Sequence, residues 1–126
     1  MGVGCRRGAP VEDVRELVAA VLTRHGLRPE AVRAFATVAA RADEPALRAL
    51  AGDALLAFPA EVLDRVPVPH RSAEVAAAVG TGSVAEAAAV HAATMLAGPG
   101  GAGVLIADKL SGGTATAAVA RIVERV

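Results

Sequence analysis

The sequence predicts an α/β fold: one mixed sheet with helices on both faces, closed by an antiparallel pair of strands. Three observations carry this. Short apolar runs alternate with segments of helical period through the first half of the chain. A long alanine-rich segment from Ser83 to Ala97 reads as the clearest helix in the chain. The C-terminal stretch then reads as two strands around Ser111-Gly112-Gly113, a hairpin-like connection.

The elements follow in order. Val3 to Cys5 is a buried strand that ends where charge and Gly8 begin. Pro10 sits in the first turn of a helix, where its missing N–H costs nothing. Val11, Val14, Leu17, Val18, Val21 and Leu22 then recur at three- and four-residue spacing, and His25-Gly26 ends the stripe. Ala34 to Ala39 is the second strand. Asp43-Glu44-Pro45 opens a helix to about Ala51, its acids at the positive end of the helix dipole. Leu55 to Phe58 is a third strand and Pro59 to Val66 a third helix. Val66 to Arg71, with two prolines in alternation, can only be an extended connection. Ser72 to Val79 reads as a short helix stopped by Gly80. Ser83-Val84-Ala85-Glu86 matches a capping box at the start of the helix to Ala97, and Gly98-Pro99-Gly100-Gly101 breaks that helix. Val104 to Asp108 and Thr114 to Ala120 are the closing strands.

With 126 residues the chain is expected to form a single domain, 1–126, with a real core but no room for two. Alanine and valine dominate the 54% apolar share, with two Phe and no Trp or Tyr, so stability must come from close helix-to-sheet approach rather than bulky side chains. A formal net charge of +0 argues against a nucleic-acid binder, which needs a basic face. No apolar run is long enough to span a bilayer, and no leader pattern precedes the first strand, so a cytoplasmic protein is expected. One cysteine forms no internal disulfide.

Gly2-Val3-Gly4-Cys5-Arg6-Arg7-Gly8 leads from the first strand into the first helix. Loops at the carboxyl ends of parallel strands collect anions, because helix N-termini there present free N–H groups. Gly4 and Gly8 permit close approach, and Arg6 or Arg7 can grip a carboxylate or phosphate in a bidentate fashion. The plain alternative is a tight turn with two solvated arginines. The loop is no dinucleotide fingerprint, because Arg7 stands where the third glycine belongs, and no Gly-Lys-Ser/Thr phosphate loop is present. Cys5 lies beside arginines and near a helix N-terminus, a setting that lowers a thiol pKa; a small buried strand residue is the competing and preferred reading. Gly80-Thr81-Gly82-Ser83 is a second glycine loop entering a helix, able to present Thr81, Ser83 and free backbone donors to another anionic group, even with Ser83 and Glu86 as caps. His25, His70 and His91 are too far apart in sequence for a helical metal pair. Of these, His70 in the proline loop is the ligand-facing candidate, while His25 suits a helix C-terminus. Lys109, the sole lysine, ends the fourth strand beside Asp108.

Taken together, Gly2 to Gly8, Thr37 with Asp43-Glu44-Pro45-Ala46-Leu47, Phe58-Pro59-Ala60-Glu61-Val62-Leu63, Val66 to Ser72, Gly80 to Ala88 and the closing strands with Lys109 resemble the CobE/CbiG C-terminal domain family of cobalamin (vitamin B12) biosynthesis. The resemblance spans nearly the whole chain. It implies a three-layer α/β/α sandwich with a mostly parallel sheet, acting on corrin-ring intermediates. It maps Gly4, Cys5, Arg6, Gly8, Asp43, Glu44, Gly80, Thr81, Ser83 and Glu86 onto the family's motifs. In the two-domain members the activity is that of a cobalt-precorrin-5A hydrolase, which opens a ring lactone and releases acetaldehyde. This chain carries nothing that corresponds to their N-terminal domain, and it has Arg41-Ala42 where a lysine is expected nearby.

The expected ligand is therefore a corrin or tetrapyrrole intermediate whose acetate and propionate groups are held by Gly4, Cys5, Arg6, Arg7, Gly8, Asp43, Glu44, His70, Gly80, Thr81, Gly82, Ser83 and Lys109. No cofactor or metal is expected. Two other functions stand beside binding: a hydrolase component, and a structural subunit that docks on a partner enzyme of cobalamin synthesis. No catalytic residue is assignable.

Overall fold

The computed structural model describes residues 1–68 and 81–124, without the side chains of residues 81–83, 108 and 109. Strands β1 (Gly2–Cys5), β2 (Phe35–Val38), β3 (Leu55–Phe58), β4 (Ala102–Ser111) and β5 (Ala115–Val123) form one sheet in the order β3-β2-β1-β5-β4. β1, β2 and β3 are parallel, while β5 runs antiparallel to both β1 and β4. Four of the five strands thus share one direction, and the closing pair is antiparallel as expected.

Helix α1 (Val11–Arg24) covers one face together with α2 (Pro45–Ala51). The predicted stripe is the buried one: Val14, Leu17, Val18, Val21 and Leu22 pack with Val3 and Cys5 of β1, Ala46 and Leu47 of α2, and Ala117 and Val119 of β5. Each such Val or Leu contributes roughly 1.5–3 kcal/mol on burial. Pro10 proves to be the N-cap residue, with Glu12 and Asp13 in the first turn and His25 as C-cap. Helices α3 (Ala60–Leu63) and α4 (Thr81–Ala97) lie on the other face, where Ala87, Ala88 and Ala92 pack with Ala36, Phe58 and Leu63. The result is the three-layer sandwich the family resemblance implied.

The second face has an unusual seam. Side chains alternate along a strand, so Val3 and Cys5 face α1 while Gly2 and Gly4 face α4. A Cβ on Gly2 would collide with the Ala85 carbonyl oxygen and stand 2.7 Å from the Ala89 nitrogen. A Cβ on Gly103 in β4 would collide with the Val90 carbonyl oxygen and stand 2.8 Å from Thr94 N. The helix backbone therefore rests directly on glycine backbone, which turns an alanine-rich helix into a well-packed one. Ala85 to Ala89 are all buried, including Glu86 at 0% exposure. His91 packs its ring edge-on against Phe58, centroids 4.6 Å apart, a core role rather than ligation.

Several boundaries differ from the sequence-based expectation. The described part of α4 begins at Thr81, so Ser83 lies within it; the side chains that would form the Ser83–Glu86 capping box are not all among the described ones, and Glu86 is fully buried. Gly82 inside a helix costs about 1 kcal/mol, and docking on the sheet outweighs it. α3 is shorter than Pro59 to Val66: it ends at Leu63, and the chain turns before Pro67, with Val66 N–H donating to the Leu63 carbonyl at 3.1 Å. β4 runs on through Asp108 and Lys109 to Ser111, with irregularities between Leu105 and Ala107 and between Ala107 and Leu110 that absorb the extra length. The predicted helix Ser72 to Val79, and the proline connection beyond Val68, lie outside the described residues.

Candidate functional site

The parallel strands end on one edge of the sheet, and the chain's charged loops gather there. β1 leads into Arg6–Pro10. β2 leads through the 3-10 turn Ala39–Arg41 to Glu44, the N-cap residue of α2. Because Gly2 lies against Ala85 and Ala89 while Gly103, farther down the sheet, lies against Val90 and Thr94, α4 runs opposite to β1. Its first turn, with the backbone of Thr81, Gly82 and Ser83, therefore stands at this same carboxyl edge. Lys109 does not, since Leu110 pairs with Ala117, which faces Val3, so Lys109 stands on β4 abreast of the start of β1; only Ser111 at the end of β4 approaches the carboxyl edge.

Gly2 to Cys5 belong to the strand rather than to the loop, and Gly2 serves the contact with α4. The loop proper begins at Arg6 and is tied on several sides. Arg6 N–H donates to the Thr114 carbonyl at 2.9 Å, and Ala9 N–H donates to the Arg6 carbonyl at 3.2 Å. Gly8, at φ +73, turns the chain through the left-handed region that only glycine enters freely. Its N–H donates to Glu44 Oε1 at 2.7 Å. Arg41 Nε donates to the Cys5 carbonyl at 3.1 Å, pinning the 3-10 turn to the end of β1. Thr114 Oγ1 donates to Asp13 Oδ2 at 3.0 Å, joining β5 to the first turn of α1.

These bonds redistribute the roles expected from sequence. Glu44 fills, with its own carboxylate, a loop donor that was expected to face a ligand. Asp43 is exposed and lies 3.7 Å from Arg48, a surface pair of little energetic weight. Arg6 and Arg7 are exposed, and among the described residues neither forms an ion pair. His70 and Gly80 lie outside the described residues. Thr37, one residue from the end of β2, is fully buried, and its hydroxyl oxygen has no hydrogen-bond partner among the described residues. A buried hydroxyl left without a partner costs about 1–3 kcal/mol.

Cys5 is 1% exposed. Burial pushes its thiol up, the Glu44 carboxylate adds to that rise, and Arg41 only partly opposes it. This is the reverse of an activated thiol. Cys5 in the folded protein is therefore expected to react with iodoacetamide at pH 8 at least about 100-fold more slowly than in the unfolded chain. The linkage has a definite sign. Above the ordinary thiol pKa of about 8.5 the unfolded chain loses a proton that the folded protein keeps, so this group's contribution to stability falls as pH rises. Fast alkylation of the native protein would contradict the assignment.

A cavity of about 520 Å³ lies at the opposite, amino edge of the sheet, lined by Met1, Leu22, Val32, Ala93, Leu96 and Ile122 among others. It is far from the arginine loop, and its walls are largely apolar.

The chain is thus an α/β/α sandwich with exposed arginines and helix N-termini at the carboxyl edge of its sheet. The family described as "Cobalamin synthesis G C-terminus" matches residues 1–120, and the chain belongs to that family. It is 35% identical over 127 residues to Protein CobE of Sinorhizobium sp, an alignment that covers 95% of this chain and 77% of that protein. Among solved structures it resembles CobE, a protein from the cobalamin biosynthetic pathway, with a TM-score of 0.78 and 37% identity over 98% of this chain and 90% of that one. It also resembles the cobalamin biosynthesis protein chiG from Agrobacterium tumefaciens str. C58, with a TM-score of 0.61 and 30% identity over 95% of this chain and 94% of the other.

Proposed function

We propose that this cobalamin biosynthesis protein binds a corrin-ring intermediate at the carboxyl edge of its sheet, with Arg6 and Arg7 gripping ring carboxylates. The observation that carries this reading is the state of that loop. Its backbone is tied down by Thr114, Glu44 and Arg41, yet its two guanidinium groups are exposed and without an acidic partner among the described residues. A rigid backbone with free bidentate donors suits a polycarboxylate, because little ordering is needed on binding. The first turn of α4 extends the same edge and adds backbone donors for further carboxylates. Glu44 acts here by holding the loop rather than by touching the ligand.

The amino-edge cavity is the weaker candidate for this ligand. About 520 Å³ suits a drug-sized molecule, and a corrin with its full set of acid side chains is larger. A hydrolase role gains no support at residue level, since the thiol of Cys5 is buried in its protonated form.

Titration of hydrogenobyrinic acid into the protein, followed by absorbance and calorimetry, tests the reading. Arg6→Ala and Arg7→Ala are each expected to weaken binding about 10- to 100-fold, the worth of a charge-assisted hydrogen bond. Binding is also expected to weaken as salt rises. No binding by the unmodified protein, or full affinity in the double variant, would overturn it.

A further inference from the structure

The connections that leave the three parallel strands divide between the two faces of the sheet. β1 and β2 both hand the chain to the α1 face, where Ala46 and Leu47 of α2 join the core beneath α1. β3, paired with β2 as far as Val38 and Phe58, hands it to the opposite face, where Leu63 of α3 packs with Phe58 and Ala92. Neighbouring strands whose connections part in this way leave a crevice beyond their carboxyl ends, where open α/β sheets hold ligands. Here it falls at the end of β2, and Arg41 is the first charged residue that the chain places there.

Arg41 is held from both sides. Its own turn is closed by Ala42 N–H donating to the Ala39 carbonyl at 3.2 Å, and Glu44 N–H donates to the Arg41 carbonyl at 3.0 Å. The ladder between β1 and β2 stops at Gly2 and Ala36, and beyond it the Arg41 side chain crosses to β1, with Nε donating to the Cys5 carbonyl at 3.1 Å. That bond uses Nε alone. Among the described residues the terminal nitrogens, Nη1 and Nη2, have neither a hydrogen bond nor an acidic partner, because Glu44 turns Oε1 to Gly8 N–H instead. A guanidinium has donors and no acceptor, so a partly buried, tethered stem presents unused donors at the mouth of the crevice. Ala39 and Ala40 after β2, and Pro59 and Ala60 after β3, are exposed and give that mouth small apolar lips.

We infer that Arg41 is a specificity-determining residue of the corrin site: its terminal nitrogens hold one ring carboxylate at the end of β2, with the ring edge over Ala39, Ala40, Pro59 and Ala60. The inference rests on the corrin-binding reading above and adds a fixed fork beside the two exposed arginines. Arg6 and Arg7 must be ordered when the ligand arrives, whereas the Arg41 stem is already held and loses less freedom. A fork made only of donors pairs with both oxygens of a carboxylate, but it meets the NH2 of an amide donor against donor. The site therefore selects the free acid at this position over its amide. A lysine in the same place would carry the charge without the planar fork.

Arg41→Gln separates the fork from its stem. Glutamine places Nε2 at the same distance along the side chain as the arginine Nε, so a donor to the Cys5 carbonyl remains while both terminal nitrogens are removed. Tm and amide exchange at Gly8 are expected to match the unmodified protein, while affinity for hydrogenobyrinic acid falls about 10- to 100-fold. Among the monoamides of that acid, one is expected to bind the unmodified protein at least about tenfold more weakly than the acid, and to bind Arg41→Gln as well as the acid does. A second measurement needs no variant. Phenylglyoxal attacks the terminal nitrogens of arginine, and saturating hydrogenobyrinic acid is expected to slow modification of Arg41 at least about tenfold, with exposed Arg48 as the unprotected control. This measurement decides alone if Arg41→Gln proves destabilised. Full affinity in a stable Arg41→Gln, or equal modification of Arg41 with and without the acid, would overturn the inference and leave the role of Arg6 and Arg7 standing. Absence of binding by the unmodified protein overturns both.

Discussion

Gly2→Ala is expected to lower Tm by about 12–20 °C, the counterpart of about 3–5 kcal/mol lost from a domain of this size. The added methyl has nowhere to go. It would meet the Ala85 carbonyl oxygen and the Ala89 nitrogen, which are backbone atoms and cannot rotate aside. Either α4 retreats from the sheet or β1 shifts away from its partners. Retreat of the helix opens a gap along the whole alanine seam, and a gap of 0.5–1 Å forfeits a quarter to a half of each dispersion contact. Ordinary overpacking costs about 1–3 kcal/mol; backbone on both sides of the clash puts this case above that range. Against a total stability of about 5–15 kcal/mol such a loss is large. Gly113→Ala is the control, since a Cβ there meets nothing within 4 Å, and it is expected to leave stability within about 0.5 kcal/mol. Urea and thermal unfolding of both variants decide the matter, and a Gly2→Ala loss below about 1 kcal/mol would refute the seam as described.

Leu47→Ala is expected to cost about 3–4 kcal/mol, within the span for a fully buried leucine whose cavity cannot collapse. Leu47 is 0% exposed and joins α2 to the core beneath α1. It also stands one helical turn beyond Glu44, the N-cap residue that holds Gly8. The substitution should therefore loosen a loop it does not touch, with faster amide exchange at Gly8 alongside the lower denaturant midpoint. A loss of stability with unchanged protection at Gly8 would show that the tie is maintained by the loop alone.

Much of this fold was legible in the sequence where one physical signal dominated. The Val14 to Leu22 stripe, the strand at Leu55 to Phe58 and the hairpin around Gly112 follow from period or turn chemistry, and they stand where expected. Local capping chemistry pointed to Ser83 as the start of α4, whereas the described helix already includes Thr81 and Gly82. The glycine at 2 was seen, but the partner that requires it is a helix more than 80 residues later in the chain. A tight turn and a tight interlayer contact leave the same mark in a sequence. Similarly, the acids at 43 and 44 read alike from sequence; only the distance to Gly8 separates the one that braces the loop from the one in a solvated surface pair.

The breaks in register along β4 have a consequence for the protein in crowded solution. β4 is an edge strand of ten residues, with Val104 and Ile106 exposed at 47% and 41%. A regular strand of that length and apolarity would be a template on which a second molecule could build a ladder, the first step toward fibrillar assembly. Because its pairing slips between Leu105 and Ala107 and again between Ala107 and Leu110, the outer edge offers no run of evenly spaced donors and acceptors to copy. The same irregularity that lets the strand reach Ser111 thereby guards the molecule against its own copies.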